Sequence, residues 1–227
     1  MNVLIAGATG LVGGHLIEEL SQDKCIENIF VLSRRPVSST NNKVKVILTD
    51  FDNLDATLRQ IEDVEAVYSC LGTTKSQTPD RSVYEKVEIH YPLQIAKWAR
   101  ENCVSQFHYI SSIGTSLDAK NEYLSRKAVA EQQLSHTGIP QVFIYRPSFI
   151  VGKRERPRLL ETISGLVLKV AQPLLNGKAR KYRPIEAKDI AHTMWLLTNK
   201  LEPGTYILES DEIFDISTGK ESSNHRC

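Results

Sequence analysis

The sequence predicts an α/β chain, a doubly wound parallel sheet with helices on both faces and a small C-terminal lobe. Three observations predict it. First, a short apolar run, Val3 to Ala6, stops at Gly7, glycines recur at Gly10 and Gly13, and Val12, Leu16 and Leu20 then follow four apart. That is strand, tight turn and amphipathic helix. Second, apolar runs of strand length alternate with helical stripes through the first 150 residues. Such alternation calls for a parallel sheet with right-handed crossovers. Third, 227 residues with 41% hydrophobic content suffice for one substantial core with a small appendage. The expected organisation is a single domain over residues 1–217, in which 151–217 supply the lobe, and a polar tail over 218–227 without fixed structure.

Each element carries its own signal. At the opening turn, glycines let the backbone bend sharply and let a phosphate approach the main chain without meeting a Cβ. The helix start beyond them offers unpaired N–H groups and a partial positive charge to a diphosphate. This Rossmann-like opening makes Gly7, Thr9, Gly10, Leu11, Val12 and Gly13 candidate cofactor-binding positions. The next strand, Asn28 to Ser33, runs into Arg34-Arg35-Pro36. A dinucleotide fold that takes NAD keeps a carboxylate at this strand end for the ribose 2′-hydroxyl. Here Ser33 is followed by two arginines, whose planar forks suit a 2′-phosphate and argue for NADP over NAD. The same arginines would also serve as a solvated loop end.

A polar loop over 37–42 leads to a third strand, Val44 to Leu48, and then to Asp50 and Phe51. A carboxylate just past a parallel strand can accept from an adenine amino group or cap a turn. A helix is expected around 54–61. The fourth strand, 66–72, delivers Leu71, Gly72 and Thr73 to the same edge as the glycine turn, and 75–82 reads as a polar loop over the site. Apolar residues at 84, 87, 91, 95 and 98 form a helical stripe to Asn102, in which Pro92 should kink or break the helix. Gln106 to Ser112 is the fifth strand. Tyr123 to His136 is a helix stopped by Gly138 and Pro140. The sixth strand, from Val142, ends in Arg146-Pro147. Beyond 150 the alternation fades: 154–172 looks helical, Asp189 should cap a helix to about 198, and 201–216 should return as a last strand.

Lys plus Arg number 28 and Asp plus Glu 27, so no global field favours nucleic acid. Cys25, Cys70, Cys103 and Cys227 lack the spacing of a metal site or a disulfide framework. The longest apolar run, 166–175, is too short for a bilayer and is interrupted by Lys169, Gln172 and Pro173. Met1 leads directly into the first strand, with no visible targeting segment. The expectation is a cytoplasmic protein that engages no membrane and no nucleic acid, as a monomer or homodimer, with a small molecule as substrate. Arg154, Arg156, Arg158, Arg180, Lys181 and Arg183 in the lobe either receive an anionic group of the ligand or form a solvated face.

Tyr123 and Lys127 lie four apart on one face of a helix whose stripe continues through Ala130 and Leu134. A lysine on an inward stripe is costly unless paired or used. With the glycine turn, Ser111-Ser112, Tyr123-x-x-x-Lys127 and Arg146-Pro147, the chain resembles the short-chain dehydrogenase/reductase superfamily, over roughly residues 1–215. Its G-x-x-G-x-x-G spacing and the run from Arg183 to Ala191 are similar to the extended and atypical members, the small Tat-interacting-protein-like NAD(P)-binding oxidoreductases among them.

The resemblance implies hydride exchange with proton transfer by Tyr123, activation of Tyr123 by Lys127, and substrate orientation by Ser112 (or its neighbour Ser111). It also implies that Lys127 reaches the nicotinamide ribose and that the backbone at Arg146-Pro147 borders the nicotinamide. The chain departs from the pattern at one point. Many members carry an Asn in the helix after the fourth strand, and here only Glu88 and His90 stand near that place. The competing expectation is a non-catalytic NAD(P)-binding protein in regulation or redox sensing.

Overall fold

The structure, a computed structural model, describes residues 1–37, 39–73, 78–152, 175–198 and 202–220. At its centre lies β1 (Asn2–Ala6), whose apolar side chains Val3 to Ala6 are fully buried. A strand covered on both faces reads as a continuous apolar run, and β1 does. On one side β1 pairs in parallel with β2 (Asn28–Ser33), Ile5 opposite Val31, and β2 pairs with the edge strand β3 (Val44–Leu48). On its other side β1 pairs with β4 (Val64–Ser69), Ile5 opposite Tyr68. Beyond β4 come β5 (Gln106–Ile110), β6 (Gln141–Arg146) and β9 (Gly204–Glu209). The resulting seven-stranded sheet has the order β3-β2-β1-β4-β5-β6-β9 with every pair parallel. The order reverses between β1 and β4, which opens a crevice at the carboxyl ends of those two strands.

Helices cover both faces, as the alternating pattern requires. One face carries α1 (Leu11–Gln22), α6 (Ala187–Leu196) and α7 (Ser210–Ser217), packed through Val12, Leu16, Leu20, Ile190, Met194 and Ile213. The other carries α2 (Leu54–Leu58), α4 (Tyr91–Glu101) and α5 (Glu122–Ser135), packed through Leu54, Ile95, Ala99, Ala130 and Leu134. A two-stranded parallel ladder, β7 (Ile150–Val151) with β8 (Ile185–Glu186), and a 3-10 turn over Gly177–Tyr182 build the described part of the lobe.

Several boundaries differ from expectation for local reasons. β4 stops at Ser69, so Leu71 to Thr73 leave the strand and turn along the crevice. The helix expected over 54–61 closes at Leu58. Asp189 does not cap a helix: Glu186 holds that place in extended backbone, and Asp189 lies in the first turn, where a carboxylate suits the helix dipole. The last strand ends at Glu209 because a capping box starts α7 there, Glu212 accepting from the Glu209 amide at 2.8 Å.

The stripe from Tyr84 is split three ways, into α3 (Arg81–Glu85), a π turn (Lys86–His90) and α4. Pro92 explains the split: it has no N–H for the carbonyl four residues back, which is that of Glu88. That carbonyl accepts instead from the Tyr109 hydroxyl at 3.1 Å. The helix expected over 154–172, the arginines at 154, 156 and 158, most of the polar loop's first half (74–77) and the tail 221–227 lie outside the described residues.

Candidate functional site

The glycine turn is shaped by the backbone around it. Gly7 has φ +91°, and a Cβ there would lie 2.4 Å from the Cys70 carbonyl oxygen. At Gly13 a Cβ would lie 2.5 Å from the Gly7 carbonyl oxygen. The turn therefore seats β1 directly against the end of β4 and tucks α1 over it. Gly10 sits at the start of α1 with no side-chain cap, so the first amides of the helix face the crevice unmet by a side chain. Thr9 and Gly10 are exposed at this mouth, whereas Val12 is buried in the core, and Leu11 packs toward Gly152. Leu11 and Val12 thus bring backbone, not side chain, to the turn.

The crevice has a volume of about 840 Å³. Its floor is the glycine turn and Cys70 to Thr73, one wall is Ser33 to Pro36 with Phe51, and the other is Thr78 to Asp80 with Val83, Val87 and Tyr91. Arg34 and Arg35 stand exposed in its wall, and the Arg35 amide donates to the Ser33 hydroxyl at 3.3 Å. Asp50 is not brought in: it accepts from the Asp52 amide at 3.1 Å and caps the short 3-10 turn that sets Phe51 in the wall. A cleft at the sheet's switch point, floored by a glycine turn that leaves no Cβ in the way and with two arginines in its wall, fits a dinucleotide.

A second group lies beside the carboxyl end of β5. Asn121 accepts from the Tyr123 amide at 2.9 Å and starts α5, which presents Tyr123 and Lys127 inward. Lys127, 2% exposed, donates from Nζ to the Ile110 carbonyl at 2.9 Å and pairs with Glu88 Oε2 at 2.8 Å. Its ammonium also sits 4.6 Å from the Tyr109 ring centre. Burial works against the Lys127 charge, but Glu88 and the Tyr109 and Tyr123 hydroxyls outweigh it, and its pKa lies well above the ordinary lysine range. Burial raises the Tyr123 phenol; Lys127 pulls it down, Glu88 pushes it up again, and the Ser112 hydroxyl beside it pulls down.

Of the two serines, Ser111 is buried against the Thr115 hydroxyl at 3.3 Å, and Ser112 is the one that faces Tyr123. The Arg146 guanidinium turns away to Glu131, its Nε 3.0 Å from Oε1, while buried Pro147 accepts from the Ile113 amide at 2.9 Å and holds the serine turn.

Glu88 stands where the missing Asn was noted, and His90 is exposed on the far side of the π turn. Sequence reasoning left the choice between them open. The signal was present: Glu88 lies four residues after Tyr84 on the apolar stripe, and Pro92 forces the irregular turn that points it inward. The floor residue Cys70 and the wall formed by Val83, Val87 and Tyr91 were missed as well, because nothing local marks an apolar residue as lining a crevice rather than a core.

In the lobe, a hollow of about 150 Å³ borders Arg180, Arg183, Asp189 and Ser210. Its two arginines and the neighbouring Lys181 are engaged within the chain: Arg180 with Asp215, Lys181 with Glu209 at 2.9 Å, and Arg183 with the Leu175 carbonyl at 2.6 Å and Asn176 Oδ1 at 2.7 Å. Among the described residues, no group of three or more His, Cys, Asp or Glu is placed to hold a metal, and no helix is long and apolar enough to cross a membrane.

A sequence model of the NAD dependent epimerase/dehydratase family matches residues 3–208. Curated relatives include "Protein FMP52, mitochondrial" from Meyerozyma guilliermondii, 30% identical over 68% of this chain and 67% of that protein. The Aspergillus fumigatus protein of the same title is 27% identical over 90% of this chain and 92% of that one. Among solved structures, MoeE5 in complex with UDP-glucuronic acid and NAD superposes with a TM-score of 0.69 at 18% identity, covering 97% of this chain and 82% of that one. UDP-glucuronic acid 4-epimerase from Bacillus cereus in complex with NAD gives 0.68 at 15% identity, covering all of this chain and 85% of that one.

These findings correct one expectation. The relatives' titles place them in mitochondria, so the cytoplasmic assignment does not hold. Unpaired cysteines fit any reducing compartment and carry no address. The match over 3–208, the parallel seven-stranded sheet and the glycine turn at its switch point agree, and the chain belongs to the NAD dependent epimerase/dehydratase family, within the extended short-chain dehydrogenase/reductase superfamily.

Proposed function

We propose that this protein is an NADP-dependent oxidoreductase acting on a small carbonyl or alcohol, similar in kind to the Tat-interacting-protein-like members of the superfamily. The observation that carries the reading is the convergence of Ser112, Tyr123 and Lys127 beside the carboxyl end of β5, on the edge that holds the glycine crevice. The backbone of Gly7 to Gly13 holds the pyrophosphate, Arg34 and Arg35 the 2′-phosphate, and Leu71 to Thr73 line the path toward the nicotinamide. When bound, the dinucleotide exchanges a hydride with the substrate carbon.

The chain's own residues handle the rest. Ser112 orients the substrate oxygen by a hydrogen bond. Tyr123 gives its phenolic proton to that oxygen, or takes it back in the reverse direction. Lys127 steadies the charge that develops on the phenol. The lobe is given little chain, within residues 151–217, which favours a small substrate over a bulky one.

The test is purified protein with NADPH and a panel of small aldehydes and ketones, followed by loss of nicotinamide absorbance. Tyr123→Phe should retain NADPH binding, read by its fluorescence, and lose turnover by about 10²-fold or more, the usual scale of general acid catalysis. Turnover that survives this change removes Tyr123 from the mechanism.

A further inference from the structure

The unusual feature of the site is the carboxylate of Glu88. It is 1% exposed and its two oxygens do different work. Oε1 accepts from the Thr73 amide at 2.6 Å, at the turn that floors the crevice. Oε2 meets the Lys127 ammonium at 2.8 Å. The Thr73 amide is a donor, and Lys127 is a cation whose contact with Oε2 is an ion pair without hydrogen-bond geometry, so the position requires an acceptor on one oxygen and negative charge on the other. An ionised carboxylate supplies them, whereas a primary amide such as Asn or Gln has one acceptor and must turn a donor toward Thr73 or Lys127. The backbone is adapted to the same end. Pro92 frees the Glu88 carbonyl, Tyr109 captures it at 3.1 Å, and the π turn aims the side chain inward.

We propose that Glu88 is a positioning residue that, through Lys127, keeps the Tyr123–Lys127 pair fully protonated across neutral pH, so that the site is set to give a proton to a carbonyl oxygen rather than to take one from an alcohol. The proposal rests on the oxidoreductase reading above and adds its direction.

The charge balance is the reason. The titratable groups facing Glu88 are Lys127 and Tyr123 from α5, Tyr84 from α3 and Tyr109 from β5. Next to them lies Arg126, whose charge is met by Glu85 at 2.6 Å and Glu122 at 2.8 Å. With Glu88 ionised, the buried cluster is neutral only while Lys127 and Tyr123 both keep their protons. Loss of either proton leaves a net negative charge in a poorly solvated place, which is costly. Replace Glu88 by a neutral group, and the protonated pair carries an uncompensated positive charge; loss of one proton then neutralises it. The first proton therefore leaves at lower pH, whichever of the two coupled groups releases it. In the direction favoured here, the Tyr123 Oη–H bond breaks, the proton passes to the substrate oxygen, and the phenolate regains a proton from water.

The experiment uses the full-length apoprotein labelled with ¹³C at tyrosine Cζ and lysine Cε, with the Tyr123 and Lys127 signals followed against pH. In the wild type neither signal should titrate below about pH 10, the ordinary range of both groups. In Glu88→Gln the earlier of the two midpoints should fall by at least about one pH unit, a tenfold rise in the acid constant. Glu88→Asp keeps the charge and should keep the midpoint near the wild-type value.

A wild-type pair that loses a proton near neutral pH overturns the proposal without any variant. So does a Gln variant with an unmoved midpoint, or an Asp variant that shifts as far as Gln. NADPH fluorescence on the same wild-type sample separates this from the broader reading: absence of binding defeats the oxidoreductase assignment and leaves the titration result to stand by itself.

Discussion

His108 offers a quantitative test of how the sheet is packed. It lies fully buried in β5, stacked between Tyr68 and Phe143 with ring centres 4.5 and 4.6 Å away. Nδ1 shares a hydrogen bond with the Tyr145 hydroxyl at 2.9 Å, and Nε2 has no partner among the described residues. Burial alone depresses its pKa to about 3. The folded state therefore resists protonation, while an unfolded histidine accepts a proton near 6.5.

The sign follows from linkage. A histidine whose folded pKa is lowered contributes nothing adverse above the unfolded value, and stability falls as pH drops from about 6.5 toward 3. Between pH 7.5 and 4.5 this one residue should remove about 2.7 kcal/mol, close to the full 1.36 kcal/mol per unit over the two units below its unfolded pKa. The assay is urea denaturation at both pH values for wild type and His108→Gln, which keeps a hydrogen-bonding group for Tyr145. The variant starts less stable because stacking is lost, but it should lose about 2–3 kcal/mol less than wild type over the same pH interval. Equal losses in the two proteins would mean that the imidazole reaches solvent or a counter-charge, and the packing argument would fail.

Three further perturbations follow from the site. Gly7→Ala forces a side chain into positive φ and sets a methyl 2.4 Å from a backbone oxygen. Denaturation should show a loss of about 2–4 kcal/mol, from backbone strain together with overpacking, and NADPH affinity should fall with it. Replacing Arg34 and Arg35 by serine should weaken NADPH by about 10–100-fold, at 1.5–3 kcal/mol for hydrogen bonds to a charged group, and leave NADH nearly unchanged in the same fluorescence titration. Equal weakening of both nucleotides would remove the 2′-phosphate assignment. Arg146→Ala strips the guanidinium from Glu131, a residue 5% exposed, and should cost about 3 kcal/mol on denaturation, as for breaking a buried pair. NADPH affinity within twofold of wild type would agree with a guanidinium turned away from the crevice.

The carboxyl-edge chemistry of this fold was legible where a local rule forces one outcome. Gly7 and Gly13 read as a turn that excludes a Cβ, and the backbone of Cys70 and of Gly7 itself is what excludes it. Tyr123 and Lys127 read as neighbours because helical spacing alone places them on one face. Asp50 shows the limit of such reasoning. A carboxylate after a parallel strand looks the same whether it caps a turn or meets a base, and here it caps.

What the sequence by itself determined is the order of strands and helices, the parallel sheet and the glycine turn, since periodicity and chain direction are properties of neighbours along the chain. The partners of buried charge were decided only in three dimensions. Lys127 finds Glu88 thirty-nine positions away along the chain, and the pairing depends on a π turn imposed by Pro92, a carbonyl captured by Tyr109 and an amide at Thr73. Apart from the π turn, none of these contacts is local, so each acquires its meaning when the sheet brings β4, β5 and α5 together and withdraws their charges from water.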